Sequence, residues 1–219
     1  MTSRRLRVLL DYFPPHRRLY DIGTDHAKLP IAAWQEGLID DCLAVDNKKG
    51  PLVQARANLA LHPEAPIRTA LADGLQALEA THDLIVFAGV GGQTIHDVIA
   101  TGALKHVKRL ILQPTAHAHR VRALCDIIDW HIVEETVVDA GDRFYPTIVM
   151  EPGRGRLTEQ EKRFGPTLLK TRETAFLRML RTERTHLKKL LTQLPDTVDT
   201  NELTRELNAI EEVLSDDTR

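Results

Sequence analysis

"YDIGTDHAKLP", residues 20–30, joins the end of a strand-like run to the opening of a helical pattern through a single glycine, Gly23. A strand that runs into a glycine turn and then a helix is the nucleotide-binding connection of an open α/β sheet. Dinucleotide-binding loops of this kind carry two or three glycines, because a pyrophosphate needs close backbone approach and a helix N-terminus. Here Asp25 and His26 occupy those places. The loop therefore predicts the fold and leaves open what an acid is doing in it.

The alternation continues outward on both sides. Short apolar runs bounded by turn residues occupy 18–23, 42–46, 67–73, 84–89 and 109–114, and helical patterns fit between them at 27–36, 51–61, 94–103 and 119–129. Strand, helix, strand in this order specifies a parallel sheet with right-handed crossovers. Two more strand-like runs, 131–139 and 144–152, are joined by Gly141-Asp142 and read as a hairpin, so the sheet ends with an antiparallel strand. The expectation for residues 1–152 is a Rossmann-like α/β domain with seven strands.

After Glu151 the composition changes. "PGRGRLTEQE" reads as a linker leading into a capping box, Thr158 with Glu161. No Gly or Pro interrupts 167–194, and Leu169, Phe176, Leu180, Leu187, Leu191 and Leu194 recur on one face until Pro195. A second cap, Asp199 with Glu202, opens a shorter helix with Leu203, Leu207, Ile210 and Leu214 on one side. Residues 153–219 thus read as an antiparallel helical hairpin.

The chain of 219 residues, 42% hydrophobic and 27% charged, falls in the ordinary globular range. Its basic-then-apolar start, "MTSRRLRVLLDYFPP", lacks a cleavage site and reads as a short amphipathic helix. Charges interrupt every apolar run before the ~20 residues needed to cross a bilayer. A cytoplasmic protein is expected. Cys42 and Cys125 have no metal-type spacing and read as packed thiols. The formal charge of −2 conceals blocks: 11 Lys/Arg against 4 Glu over 154–193, then 2 Arg against 8 acids over 194–219.

Ligands of open parallel sheets bind at the carboxyl ends of the strands, where strand order reverses. Those ends carry Asp21 and Gly23, then Asp46, then Asp73-Gly74, then Ala88-Gly89-Val90-Gly91-Gly92, then Gln113-Pro114. Gly23 lets the backbone approach a ligand, an acid at Asp46 suits a ribose diol, and Asp73 can accept from an exocyclic adenine amine. Taken singly, Asp46 and Asp73-Gly74 also fit ordinary turns. Together they describe an adenosine-containing ligand. Asp25 would repel a pyrophosphate but suits a cation such as a sulfonium, so S-adenosylmethionine fits better than NAD, and an oxidoreductase is the least favoured alternative.

"DIGTDHAKLP", "AVDNKKGP", "LADGL", "AGVGGQTI" and "RLILQPTAH" resemble, in order, the motifs of the bacterial tRNA adenine-22 N1-methyltransferase family. The resemblance spans 18–150, and the helical hairpin matches that family's C-terminal coiled coil in placement. It implies a class I methyltransferase with S-adenosylmethionine as donor and tRNA as acceptor. It also implies a cofactor site of Asp21, Gly23, Asp46, Asp73, Gly74, Ala88 and Gly89, and an acceptor site of His26, Pro30, Val90, Gly91, Gly92, Gln113 and Pro114. Asp25 becomes the catalytic candidate: its carboxylate can accept from the N6 amine of an adenine and orient N1 toward the methyl. It is equally well placed to N-cap the helix beginning at Ala27. Departures from the family's usual residues fall at Lys28, Val90, Thr115 and Pro146.

Arg172, Arg178, Arg181, Arg184, Lys188 and Lys189 can contact the phosphates of an RNA helix without reading bases, although a charge run is also an ordinary solvated face and the acidic second helix can pair with it. A non-catalytic RNA-binding module, or a methyltransferase for another RNA position, stands as an alternative. His117 and His119 lack acidic or thiol company, so no metal site is expected.

Overall fold

The computed structural model describes residues 3–24, 26–195 and 197–215. Seven strands form one sheet: β1 Arg17–Ile22, β2 Ile39–Asp46, β3 Ile67–Leu71, β4 Leu84–Val90, β5 Arg109–Pro114, β6 Trp130–Asp139 and β7 Phe144–Pro152. Their order is β3-β2-β1-β4-β5-β7-β6. The first five run parallel. β7 is antiparallel to both neighbours. The expected seven strands and the antiparallel finish are all present. Strand order reverses between β1 and β4, which opens the crevice that open α/β sheets use for ligands.

Side chains alternate between the two faces of a strand, and a parallel sheet is covered on both. On one face Tyr20, Ile22, Val45, Ile85, Phe87, Leu110 and Leu112 meet Ile95 and Ile99 of α4 (Gly92–Ala100) and Val121 of α5 (Ala118–Arg122). On the other, Leu19, Ala44, Val86 and Ile111 meet Leu9 and Leu10 of α1 (Arg4–Asp11) and Leu29 and Ala33 of α2 (Lys28–Gln35). Helix α3 (Lys49–Leu59) buries Leu52 and Ala55. The helix expected over 119–129 is shorter, with α5 giving way to a 3₁₀ turn at Ala123–Asp126.

Beyond β7, α6 (Glu159–Phe164) starts at the predicted capping box, with Thr158 and Glu161 bonded reciprocally. The helix expected over 167–194 is divided into α7 (Pro166–Thr171) and α8 (Thr174–Gln193) at Arg172, whose φ is 51°. The break has a tertiary cause. Glu173 turns aside to take the backbone N–H of Val137 and, at 3.0 and 2.9 Å, the hydroxyl of Thr136, both on edge strand β6. Arg172 meanwhile donates to the Val213 carbonyl of α9 (Asn201–Ser215) at 2.8 Å. A third core joins Val137 to Phe164, Leu168, Phe176, Leu180, Leu187, Ile210 and Val213, so the C-terminal helices share apolar packing with the sheet edge.

Candidate active site

Three backbone features build the crevice. The N–H groups of Gly23 and Thr24 donate to the Val45 carbonyl at 2.9 and 3.1 Å, folding the loop after β1 across the end of β2. Gly23 has φ +74°, and a Cβ on it would stand 2.9 Å from Cγ2 of Val90. Gly92 donates its N–H to the Ala116 carbonyl at 2.9 Å, which locks the start of α4 onto the loop after β5. A side chain at Gly92 has no room, since its Cβ would lie 2.4 Å from the His117 carbonyl oxygen.

Between the loop after β1, the ends of β2 and β4, the turn after β3 and the start of α4 lies a cavity of about 330 Å³, lined by Gly23, Asp46, Asn47, Lys48, Asp73, Gly74, Gly89, Val90, Thr94 and neighbouring apolar groups. One carboxylate oxygen of Asp46 accepts the Lys48 N–H at 2.8 Å, leaving the other for a ligand. Asn47 donates to Asp73 at 3.4 Å, holding the second acid beside the first. β3 ends at Leu71, two residues earlier than expected, so Asp73 sits in the following turn. Gly74 has φ +52° there, and the Tyr20 hydroxyl donates to its carbonyl at 3.0 Å. A larger open cleft of about 1100 Å³ lies apart, between Pro114–Ala123, the β6–β7 turn and the C-terminal helices.

The structure thus gathers Gly23, Asp46, Asp73, Gly74, Gly89 and Val90 around one cavity. Asp21 and Ala88 lie outside it. Asp21 is buried, and burial pushes its carboxyl up to about 6. Ala88 packs with the α1/α2-side core. Gly91 caps α4 through its backbone. Gln113 is fully buried and donates to the Thr147 hydroxyl at 3.0 Å. Pro30 is buried within α2, Pro114 faces the larger cleft, and the His26 carbonyl accepts from Asn58 at 2.8 Å. His26 and Ala27 both have positive φ, 62° and 51°. Asp25 lies outside the described residues.

Of the basic residues on the arm, Arg172 is spent on Val213, Arg178 pairs with Asp139 and lies over the Phe144 ring, and Lys188 pairs with Glu211 at 2.6 Å. Arg181 and Lys189 are exposed and Arg184 is half-buried. Asn47, Lys48 and Thr94 complete the lining beyond the residues expected from sequence, and the signal for the first two is that they directly follow the strand-end acid Asp46.

The sequence model for "tRNA (adenine(22)-N(1))-methyltransferase" matches residues 19–218. The protein of that name from Bacillus subtilis is 27% identical over 220 residues, covering 95% of this chain and 92% of that one. Among solved structures, a Streptococcus agalactiae protein of the NADB-Rossmann superfamily is 34% identical with a TM-score of 0.90, over 98% of this chain and 97% of that one. A candidate tRNA (m1A22) methyltransferase from Streptococcus pneumoniae, solved in complex with S-adenosyl-L-methionine, is 32% identical with a TM-score of 0.89, over 98% of this chain and 100% of that one. With nearly the whole chain matched and the strand-end residues drawn around one cavity, the chain belongs to the tRNA (adenine(22)-N(1))-methyltransferase family.

Proposed function

We propose that the protein transfers a methyl group from S-adenosylmethionine to N1 of adenine 22 in tRNA, with the donor held in the 330 Å³ cavity. The observation that carries this reading is the convergence of two acids from separate strand ends, Asp46 and Asp73, with the positive-φ glycines Gly23 and Gly89 at the switch between β1 and β4. The volume lies within the range of about 300–1,000 Å³ usual for small-ligand sites. The free oxygen of Asp46 suits the ribose diol, and Asp73 suits the adenine amine. The single glycine after β1 leaves no cradle for a pyrophosphate.

When bound, the donor supplies an electrophilic methyl group. The N1 lone pair of the target adenine would form the new N–C bond as the sulfonium S–C bond breaks and its electron pair stays on sulfur, leaving S-adenosylhomocysteine, and the base would carry the positive charge until an N6 proton leaves. Since N1 needs placement more than activation, positioning is the main catalytic term. Asp25 is the residue for it, accepting from N6 and stabilising the charged ring. The acceptor enters past His26, Val90 and Gly91, and the basic arm, with Lys189 exposed on it, meets tRNA phosphates. Among the described residues no helix is long and apolar enough to cross a membrane, which agrees with work on tRNA in the cytoplasm. Residues 153–219 are the tRNA-binding unit, with α8 and α9 as its helical arm, and 1–152 the catalytic domain; trypsin cutting only at scattered sites, rather than first near exposed Arg154, would count against that division.

Incubating the purified protein with unmodified tRNA and labelled S-adenosylmethionine tests the function, with mass spectrometry locating the product. Label at N1 of adenine 22 is expected. Label elsewhere overturns the position, and tRNA binding without label overturns the enzyme.

A further inference from the structure

Among the described residues, the charged lining of the cavity lies at one end. Asp46, Lys48 and Asp73 line the side toward β2 and β3, whereas the side toward Gly23, Gly89 and Val90 has no charged lining residue among those described. A donor whose adenosine lies on Asp46 and Asp73 directs its amino-acid carboxylate to that other end. A carboxylate taken out of water needs a cation.

Arg5 stands just behind the glycine that bounds this end. Its Nη2 and Nη1 lie 3.3 and 3.4 Å from the point a Cβ on Gly89 would occupy. Its Cζ lies 5.1 Å from the centroid of the Tyr145 ring, a cation–π contact that holds the guanidinium in place. Helix α1 fixes the approach: Leu9 and Leu10 are buried, and the Ser3 hydroxyl accepts the Leu6 N–H at 3.4 Å. Arg7, two residues on, is neutralised by Glu36 and Asp11. Arg5 is half-buried and pairs with no carboxylate among the described residues.

We infer that Arg5 is the counter-ion for the amino-acid carboxylate of the methyl donor, held by Tyr145 and reached across the bare backbone of Gly89. The inference rests on the donor reading of the cavity. Arg5 suits it in kind as well as in place, because a guanidinium presents a planar pair of N–H donors to a carboxylate. The N-terminal helix thereby becomes part of the cofactor site and closes the Gly89 end of the cavity.

Calorimetry on the full chain with two nucleosides tests this: S-adenosylhomocysteine, which has the carboxylate, and 5′-methylthioadenosine, which lacks the whole amino-acid part. Arg5→Met is expected to weaken the first by about tenfold to a hundredfold and to leave the second within about twofold, while Arg5→Lys recovers part of the loss. Retained methylthioadenosine binding also reports an intact pocket. Equal affinity of wild type and Arg5→Met for S-adenosylhomocysteine overturns the inference, and so does an equal loss for both nucleosides, which would make Arg5 structural. Unchanged S-adenosylhomocysteine affinity with a raised KM for tRNA would assign Arg5 to the RNA instead. Wild-type protein that binds neither nucleoside refutes the donor reading itself, and the inference with it.

Discussion

Replacing Arg122 with Met removes the guanidinium from the most enclosed ion pair described in the molecule. The side chains of Arg122 and Glu135 are 2% and 0% exposed, with Nε to Oε1 at 2.6 Å. Arg122 also donates to the carbonyls of Lys162 and Arg163 at 3.2 and 2.8 Å, and Glu135 accepts the Thr167 N–H at 3.1 Å. Without the guanidinium, a buried carboxylate keeps only backbone donors and two carbonyls lose a partner. Breaking such a pair from one side costs about 3–5 kcal/mol, a large part of the roughly 5–15 kcal/mol that holds a domain folded. The loss should depend on pH. Burial already raises the Glu135 pKa against the opposing pull of Arg122, and removing Arg122 raises it further. A carboxyl raised in the folded state favours folding below its unfolded pKa, and that contribution disappears as pH rises through the folded value. Arg122→Met should therefore be less destabilised near pH 5 than near pH 8. Urea unfolding followed by circular dichroism at both values checks this, with Arg122→Met/Glu135→Leu expected to regain most of the loss. A loss below about 1 kcal/mol at both pH values, or a double variant no better than the single one, would refute the reasoning.

Three further outcomes are expected. Asp46→Ala should weaken S-adenosylhomocysteine binding by about 1–3 kcal/mol in calorimetry, and unchanged affinity would remove Asp46 from the site. Asp25→Asn should lower single-turnover methyl transfer by roughly 100-fold while leaving donor affinity nearly intact, and a near-normal rate would remove Asp25 from catalysis; the capping role is not its alternative, because α2 begins at Lys28 with Ala27 at its N-cap position. Gly92→Ala must drive two backbones apart, because the added Cβ would stand 2.4 and 2.5 Å from the carbonyl oxygens of His117 and Ala116, and the expected cost is about 1–3 kcal/mol, read as a lower melting temperature. An unchanged melting temperature would mean that the two loops are not held together as described.

Much of the fold was legible because each strand is a short apolar run closed by turn residues, and the crossover rules leave few ways to join such runs. The break at Arg172 was not, since no Gly or Pro marks it and its causes, the edge N–H of Val137 and the Val213 carbonyl, lie far away in the chain. At the site, Gly23, Asp46 and Asp73 were legible from the rule that ligands meet strand ends. Asp21 and Gln113 also stand near those ends, but both are buried in the sheet, because strand parity decides which side chain turns inward. Arg5 comes from a helix that precedes the first strand, and nothing in its local pattern points to Gly89.

The anchoring of Glu173 on Val137 also bears on how the folded protein behaves when crowded. An edge strand with free N–H groups is a template on which another chain can add a strand, and this sheet has two edges, β3 and β6. Helices α7 and α8 lie against β6, and the Glu173 carboxylate occupies a backbone donor there. β3 is only five residues long and carries Arg68, paired with Asp41 at 3.2 Å, a charge that an incoming strand would have to desolvate. Neither edge invites a visitor, so aggregation of this protein should begin from chains that have lost the C-terminal helices' grip on β6 rather than from the native sheet.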